Sequence, residues 1–370
     1  MPAAKVIFRA IDILYYNAQN NRREHRDCEG ITIEKDMCYN EKYPDMCTMD
    51  FYYVKKDAKE KYPAVLYIHG GGWEAGDKNY RSGISKWFAK RGFFVVNINY
   101  GLSPEVKYPL PLKQIVSAYN WVVKNADKLN IDLERLIVSG DSAGAYYSTM
   151  LAAIDRNPSL QQKLECKTSY PVSALVLDCG VYDLKQALVS KKLVLDMGNR
   201  LLRDFLATDR DNFDDYEYAY YVSPADYITP DFPPCFVTYA KKDLFCGGQG
   251  ELLISKLARA GVYYEAYHSH DLINNHCFPL NNKSRATEEN NRLLSDFLRR
   301  FAAKDKEPNW QLSPEQLDDR EHRSVQKLDK KAARRFEKAE RRGEKVARKL
   351  EKHEEEFARR DLEEKTSATE

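Results

Sequence analysis

An α/β protein, with a mostly parallel central sheet and helices on both faces, is what the sequence predicts, and two observations carry the prediction. Short runs rich in Val, Ile, Tyr and Phe alternate along the chain with longer amphipathic stretches, and the glycine-rich segments fall directly behind the runs. The strand-like runs are Phe51 to Val54, Ala64 to Ile68, Phe93 to Asn97, Leu136 to Ser139, Ala174 to Leu177, Cys235 to Tyr239 and Val262 to Tyr267. Between them, Tyr80 to Arg91, Leu110 to Leu129, Ala143 to Ile154 and Gly250 to Ala260 have the length and apolar spacing of crossover helices. In such sheets ligands bind beyond the carboxyl ends of the strands, so the loops that follow strands are where chemistry is expected.

A chain of 370 residues, 43% of them apolar, can bury one large core and still carry an extra segment. Charged residues make up 31%, and they crowd the end: 28 of the 45 residues from Arg320 to Glu364 are charged, sixteen basic and twelve acidic. Interleaved signs and a net charge of +2 give no footprint for nucleic acid. Eight cysteines are scattered without a CxxC pair or a zinc-like spacing, so neither a metal nor a cofactor is expected. Cys28, Cys38 and Cys47 lie close together, and a disulfide among them is left open.

The strongest motif is Gly140-Asp-Ser-Ala-Gly144, placed after the run Leu136 to Ser139 and before the helical stretch Ala143 to Ile154. On a strand-to-helix turn this pattern is a nucleophile elbow, whose small flanking residues let a strained backbone push the Ser142 hydroxyl into the crevice. A second motif, His69-Gly-Gly-Gly-Trp73, follows the run Ala64 to Ile68. Consecutive glycines are costly unless amides must approach a ligand closely, and the amides of Gly71, Gly72 and Ala143 are expected to form an oxyanion hole. A phosphate cradle is disfavoured, because no Lys-Ser/Thr follows the glycines.

A serine hydroxyl needs a base. His268, His270 and His276 all follow the last strand-like run; His276 is favoured because it sits in a longer loop with room to reach back. The base needs an acid to hold its tautomer. Asp243, behind the run Cys235 to Tyr239, gives the chain order Ser, Asp, His, with Asp178 and Asp183 as competitors.

These motifs, with Tyr100-Gly-Leu-Ser-Pro-Glu, Tyr108-Pro109, Ser223-Pro224, Pro233-Pro234 and His276-Cys-Phe, resemble the hormone-sensitive-lipase-like branch of the α/β-hydrolases over roughly Phe51 to Phe301. The resemblance implies the α/β-hydrolase fold, a Ser142, Asp243, His276 triad, and a helical cap made from the N-terminal residues and Tyr182 to Pro234. Three positions depart from the pattern. Asp243-Leu-Phe-Cys-Gly lacks the usual proline, Gln114 stands where an aspartate is common, and Cys277 where glycine is usual.

Three segments follow: 1–50, N-terminal and cap-forming; 51–303, catalytic, with the aromatic-rich insertion 182–234; and 304–370, a charged extension. In the extension Val325, Ala332, Ala339 and Val346 repeat every seven residues, as do Phe336, Gly343, Leu350 and Phe357, so a long charged helix is expected, either a solvated tail, which is favoured because Arg, Lys and His interrupt the seams, or a weak coiled coil joining copies of the chain. Val6 to Tyr16 is broken by Arg9 and Asp12, which suits a short surface helix rather than a signal or a span, and a cytoplasmic protein is expected. The expected activity is hydrolysis of small to medium carboxylic esters through an acyl-enzyme. Amide, formamide or peptide hydrolysis by the same groups, and a non-catalytic receptor on the same fold, are the alternatives.

Overall fold

The computed structural model describes residues 29–57, 60–189, 197–271, 274–280 and 284–303. The expected N-terminal helix, Cys28 and the charged extension lie outside the described residues.

Among the described residues, eight strands form one sheet in the order β1-β2-β4-β3-β5-β6-β7-β8. They are β1 Ile31–Cys38, β2 Thr48–Val54, β3 Tyr62–Ile68, β4 Phe94–Ile98, β5 Ile131–Asp141, β6 Ala174–Asp178, β7 Cys235–Ala240 and β8 Tyr264–Ser269. From β4 to β8 every pairing is parallel, while β1 pairs antiparallel with β2, and β2 with β4. The helices are α1 Ser82–Ala89, α2 Leu110–Lys124, α3 Ala143–Arg156, α4 Pro158–Leu164, α5 Met197–Leu201, α6 Gln249–Ala260 and α7 Arg285–Ala302.

Alternation along β3 and β4 divides the core into two faces. Ala64, Leu66, Ile68, Phe94 and Val96 point into a large core with Leu112, Ile115, Met150 and Leu253, from α2, α3 and α6. Val65, Tyr67 and Val95 point into a smaller one with Ile84, Phe88, Leu294 and Phe297, from α1 and α7. Strands buried on both faces read as continuous apolar runs, which is why the central strands were legible.

Several boundaries differ from expectation. β1 was not anticipated, because as an edge strand most of its residues, including Glu34, Lys35 and Asp36, stay exposed and the apolar signal is weak. The sheet therefore begins at Ile31, inside the segment 1–50 assigned to a cap. β5 begins at Ile131 rather than Leu136, where Ile131 joins the parallel ladder opposite Tyr62. α2 stops at Lys124 rather than Leu129, because Asn125 leaves the helix and the chain turns through Asn130 at φ 56°. Cys38 and Cys47 are free thiols, which closes the disulfide question for that pair.

Edge strands and loop are joined by a buried cation. Lys78 reaches Asp50, which is fully buried, and Asp36 at 2.6 Å. The insertion 182–234 docks through a buried polar contact, the Gln249 side-chain oxygen accepting from the amides of Tyr182 and Asp183, and it is tied within itself by Ser223 Oγ accepting from the Leu184 amide.

The last helix, α7, was also missed. It is capped by Ser284, whose hydroxyl accepts from the Thr287 amide at 3.0 Å, and it buries Leu294, Phe297, Leu298 and Phe301. Replacing an N-cap serine by alanine costs about 1 kcal/mol and by glycine a few tenths. Ser284→Ala should therefore lower stability in urea by about that amount, and Ser284→Gly by distinctly less.

Candidate active site

Ser142 occupies the turn between β5 and α3 with φ 52° and ψ −118°. A residue with a Cβ avoids the positive-φ half of the map, so this turn stores strain that its surroundings must hold. The Ser142 amide donates to the Asp178 carbonyl at 2.8 Å, and the Tyr146 amide donates to the Ser142 carbonyl at 3.1 Å. The flanking glycines are required by space. A Cβ on Gly144 would lie 2.0 Å from the Ile68 carbonyl oxygen, and one on Gly140 would lie 2.5 Å from Gly144.

His276, in the loop after β8, places Nε2 2.8 Å from Ser142 Oγ and Nδ1 2.8 Å from Asp243 Oδ2. The other Asp243 oxygen accepts from the amides of Phe245 at 2.9 Å and Cys246 at 2.7 Å, which fixes the carboxylate plane. Asn275 ties the two loops together, since its side-chain oxygen accepts from the amides of Leu244 and His276.

Burial alone would raise the Asp243 carboxyl, but the His276 imidazole and the two amides hold it below the usual carboxylate range. Burial likewise works against a charged His276, yet the Asp243 carboxylate beside it lifts the imidazole well above the usual histidine range. The pair is thus arranged to accept a proton from the serine and keep the resulting imidazolium.

The competing residues stand outside the hydrogen-bonded relay of Ser142, His276 and Asp243. His268 stacks on Tyr239 with ring centroids 4.4 Å apart and lies tilted against His270 at 4.1 Å. Asp178 offers its carbonyl to the elbow, and Asp183 accepts from the Gln186 amide. Burial pushes the Asp178 carboxyl well above the carboxylate range, which makes it a poor partner for an imidazolium.

Gly71 and Gly72 follow β3 with φ 130° and 59°. The Gly71 carbonyl accepts from the amides of Glu74 and Ala75, turning the loop back on itself. A Cβ on Gly71 would lie 2.1 Å from the Ala75 carbonyl oxygen, so only glycine fits. Ala143 opens α3, so its amide is one that no preceding turn can satisfy. His69 is no base: it is buried, stacks on Tyr100 at 4.4 Å, and burial lowers it to about 4.

The sequence reading missed what supports the elbow. Asp141, buried at the end of β5, is gripped by Arg81 through Nε and a terminal nitrogen, each at 2.8 Å, and accepts from the Tyr67 hydroxyl at 3.0 Å. Burial would raise this carboxyl too, but the Arg81 guanidinium keeps it lowered. A carboxylate inside the motif signalled that a cation was needed; nothing local pointed to Arg81, sixty residues earlier. Phe205 links the insertion to the site, stacked on Trp73 with centroids 4.8 Å apart and edge-on to Tyr146.

The sheet order, the elbow and the loop positions define the α/β-hydrolase fold. The BD-FAE family model matches residues 49–257, and the chain belongs to that family. An acetyl esterase of Salmonella paratyphi B is 31% identical over 184 residues, and one of Salmonella typhi 30%. Each match covers 48% of this chain and 54% of the relative, so the chain spans about half the length of the curated relatives it matches.

Among solved structures, a phosphonate-inhibited Esterase B from Lactobacillus rhamnosis superposes with TM-score 0.67 at 20% identity, covering 82% of this chain and 96% of that one. An esterase of the archaeon Pyrobaculum calidifontis gives TM-score 0.64 at 22% identity, over 81% and 93%. At these identities the likeness establishes the fold. No helix among the described residues is long and apolar enough to cross a membrane.

Removing one partner of a buried ion pair costs about 3–5 kcal/mol, because the other charge is left without compensation. Arg81→Met should lose stability of that order at neutral pH by chemical denaturation, and adding Asp141→Asn should restore part of it. Equal stability of Arg81→Met and wild type would contradict the role given to this pair.

Proposed function

We propose that the chain is a serine carboxylesterase that hydrolyses small to medium carboxylic esters through an acyl-enzyme. The observation that carries this reading is His276 joined at 2.8 Å to Ser142 on one ring nitrogen and to Asp243 on the other. Nε2 takes the proton as Ser142 Oγ attacks the acyl carbon, and Asp243 stabilises the imidazolium that results. The carbonyl oxygen gains negative charge and is held by the amides of Gly71, Gly72 and Ala143, aided by the positive end of α3. The imidazolium then protonates the departing alkoxide. Water, activated by the same ring, releases the acid.

The acyl groups are assigned as short. Support comes from the acetyl esterase relatives and from the rings of Trp73, Tyr146 and Phe205, which pack against one another beside the elbow. Catalysis is assigned to residues 51–303 together with β1, and residues 304–370 to self-association, on the strength of their seven-residue repeat. The apolar stretch Val6 to Tyr16, interrupted by Arg9 and Asp12, supports a cytoplasmic setting.

Hydrolysis of p-nitrophenyl acetate, butyrate and octanoate tests the reading. Wild type should turn over acetate and butyrate faster than octanoate, and Ser142→Ala should lose about 10⁵- to 10⁶-fold in kcat. Turnover that survives the substitution would remove the serine mechanism.

The pH dependence has a definite sign. Only the neutral imidazole accepts a proton, so kcat/KM should rise with pH through one ionisation above the usual histidine value of about 6.5. Asp243→Asn should lower the rate by about 10⁴-fold and move that ionisation down. A midpoint below the usual histidine value in wild type would contradict the pairing.

A further inference from the structure

Three buried thiols stand around His276 and have no part in the relay. Cys179 follows β6, Cys246 lies on the loop behind Asp243, and Cys277 is the next residue after the imidazole. All three are free. One ligand atom each from Cys179, His276 and Cys277 lie within 4.8 Å of one another, and so do one each from Asp243, Cys246 and His276. The ring is common to both sets. Cys179 and Cys277 both have φ 49°, in the left-handed region that favours glycine, so the chain holds these two thiols where its backbone alone would favour no side chain.

We propose that Cys179, Cys277 and His276 form an inhibitory site for a thiophilic divalent cation, zinc by the chemistry of its donors. Two thiolates and an imidazole suit zinc, whereas calcium and magnesium require oxygen ligands. Zinc bonds of about 2.3 Å to sulfur and about 2.0 Å to nitrogen bring neighbouring ligand atoms to roughly 3.5 Å apart. The observed spacing needs only small side-chain shifts to reach this. On binding, the two thiols release their protons to water, and the cation takes a lone pair from each sulfur and from one ring nitrogen. A fourth position remains for water. The set with Asp243 is poorer in sulfur, and its carboxylate is already committed to two amides.

Both ring nitrogens of His276 are in use, one against Ser142 and the other against Asp243. A bound cation therefore takes the ring out of the relay whichever nitrogen it engages. The way in is the substrate crevice, where the His276 side chain is 11% exposed and Ser142 half-buried. Inhibition rests on the esterase reading above; binding does not.

The test uses the full chain, stripped with EDTA and then titrated with cobalt(II) as a spectroscopic stand-in for zinc. Wild type should show a thiolate-to-cobalt charge-transfer band, and zinc chloride should inhibit p-nitrophenyl acetate hydrolysis reversibly, with EDTA restoring the rate. The double variant Cys179→Gly/Cys277→Gly suits the positive φ at both positions. It should lose the band and need about tenfold more zinc or higher for half-inhibition, while its metal-free rate stays within about twofold of wild type. Cys179→Ala alone, read the same way, carries the test if the double variant does not fold. The proposal is overturned by absence of the band in wild type, by equal zinc sensitivity in the variants, or by inhibition that a thiol reductant reverses and EDTA does not. Because the band is read without any ester, a protein that binds cobalt but turns over no ester would sink the esterase reading and leave the metal site standing.

Discussion

At the turn between β5 and α3 the backbone runs so close to the end of β3 that no side chain fits between them. A single added carbon on Gly144 would stand 2.0 Å from the Ile68 carbonyl oxygen, and one on Gly70 would stand 2.5 Å from an Asp141 carboxylate oxygen. This approach brings the Gly70 to Gly72 loop beside Ser142, and it does so through strand pairing: Ile68 lies opposite Gly140 in the β3–β5 ladder. The strained conformation of Ser142 is affordable only because the parallel sheet, the Asp178 carbonyl and the first turn of α3 all hold it.

Two buried aspartates near this turn illustrate how surroundings divide labour. Asp141 faces a permanent cation, Arg81, and a tyrosine hydroxyl, so its charge is fixed and its oxygens are spent on structure. Asp243 faces a group that can gain or lose a proton, so its charge sets the basicity of His276. Both carboxyls are lowered despite burial. Acid should therefore weaken both arrangements in the same direction: their stabilisation is present above the unfolded carboxylate value of about 3.9 and is lost as pH falls through the folded values.

Legibility in the sequence followed the range of the underlying interaction. The elbow and the glycine loop were readable because each is a local backbone device, a turn whose residue types are dictated within five positions. His276 and Asp243 were readable by a longer route, since loop length favoured one of three histidines and chain order with strand position favoured one of three aspartates, while the contacts that join them are between distant residues. Arg81 was not readable, because a buried ion pair between residues sixty apart leaves no periodic trace. β1 escaped for a different reason: only part of it is covered, so its alternation is diluted by charge. The thiols around His276 escaped because Cys179, Cys246 and Cys277 are brought together by three separate strand ends, and metal-ligand spacing along a chain is informative only when ligands are close in sequence.

The central claim is that strain at Ser142 and the hydrogen bond to His276 make this one hydroxyl a nucleophile among the many serines of the chain. The direct test is to treat the full chain with a p-nitrophenyl alkylphosphonate and locate the adduct by peptide mass spectrometry. A single phosphonyl group on Ser142, formed with stoichiometric release of p-nitrophenol and absent from His276→Ala, is the predicted result. An adduct on another residue, or labelling of Ser142 that proceeds as fast without His276, would contradict it.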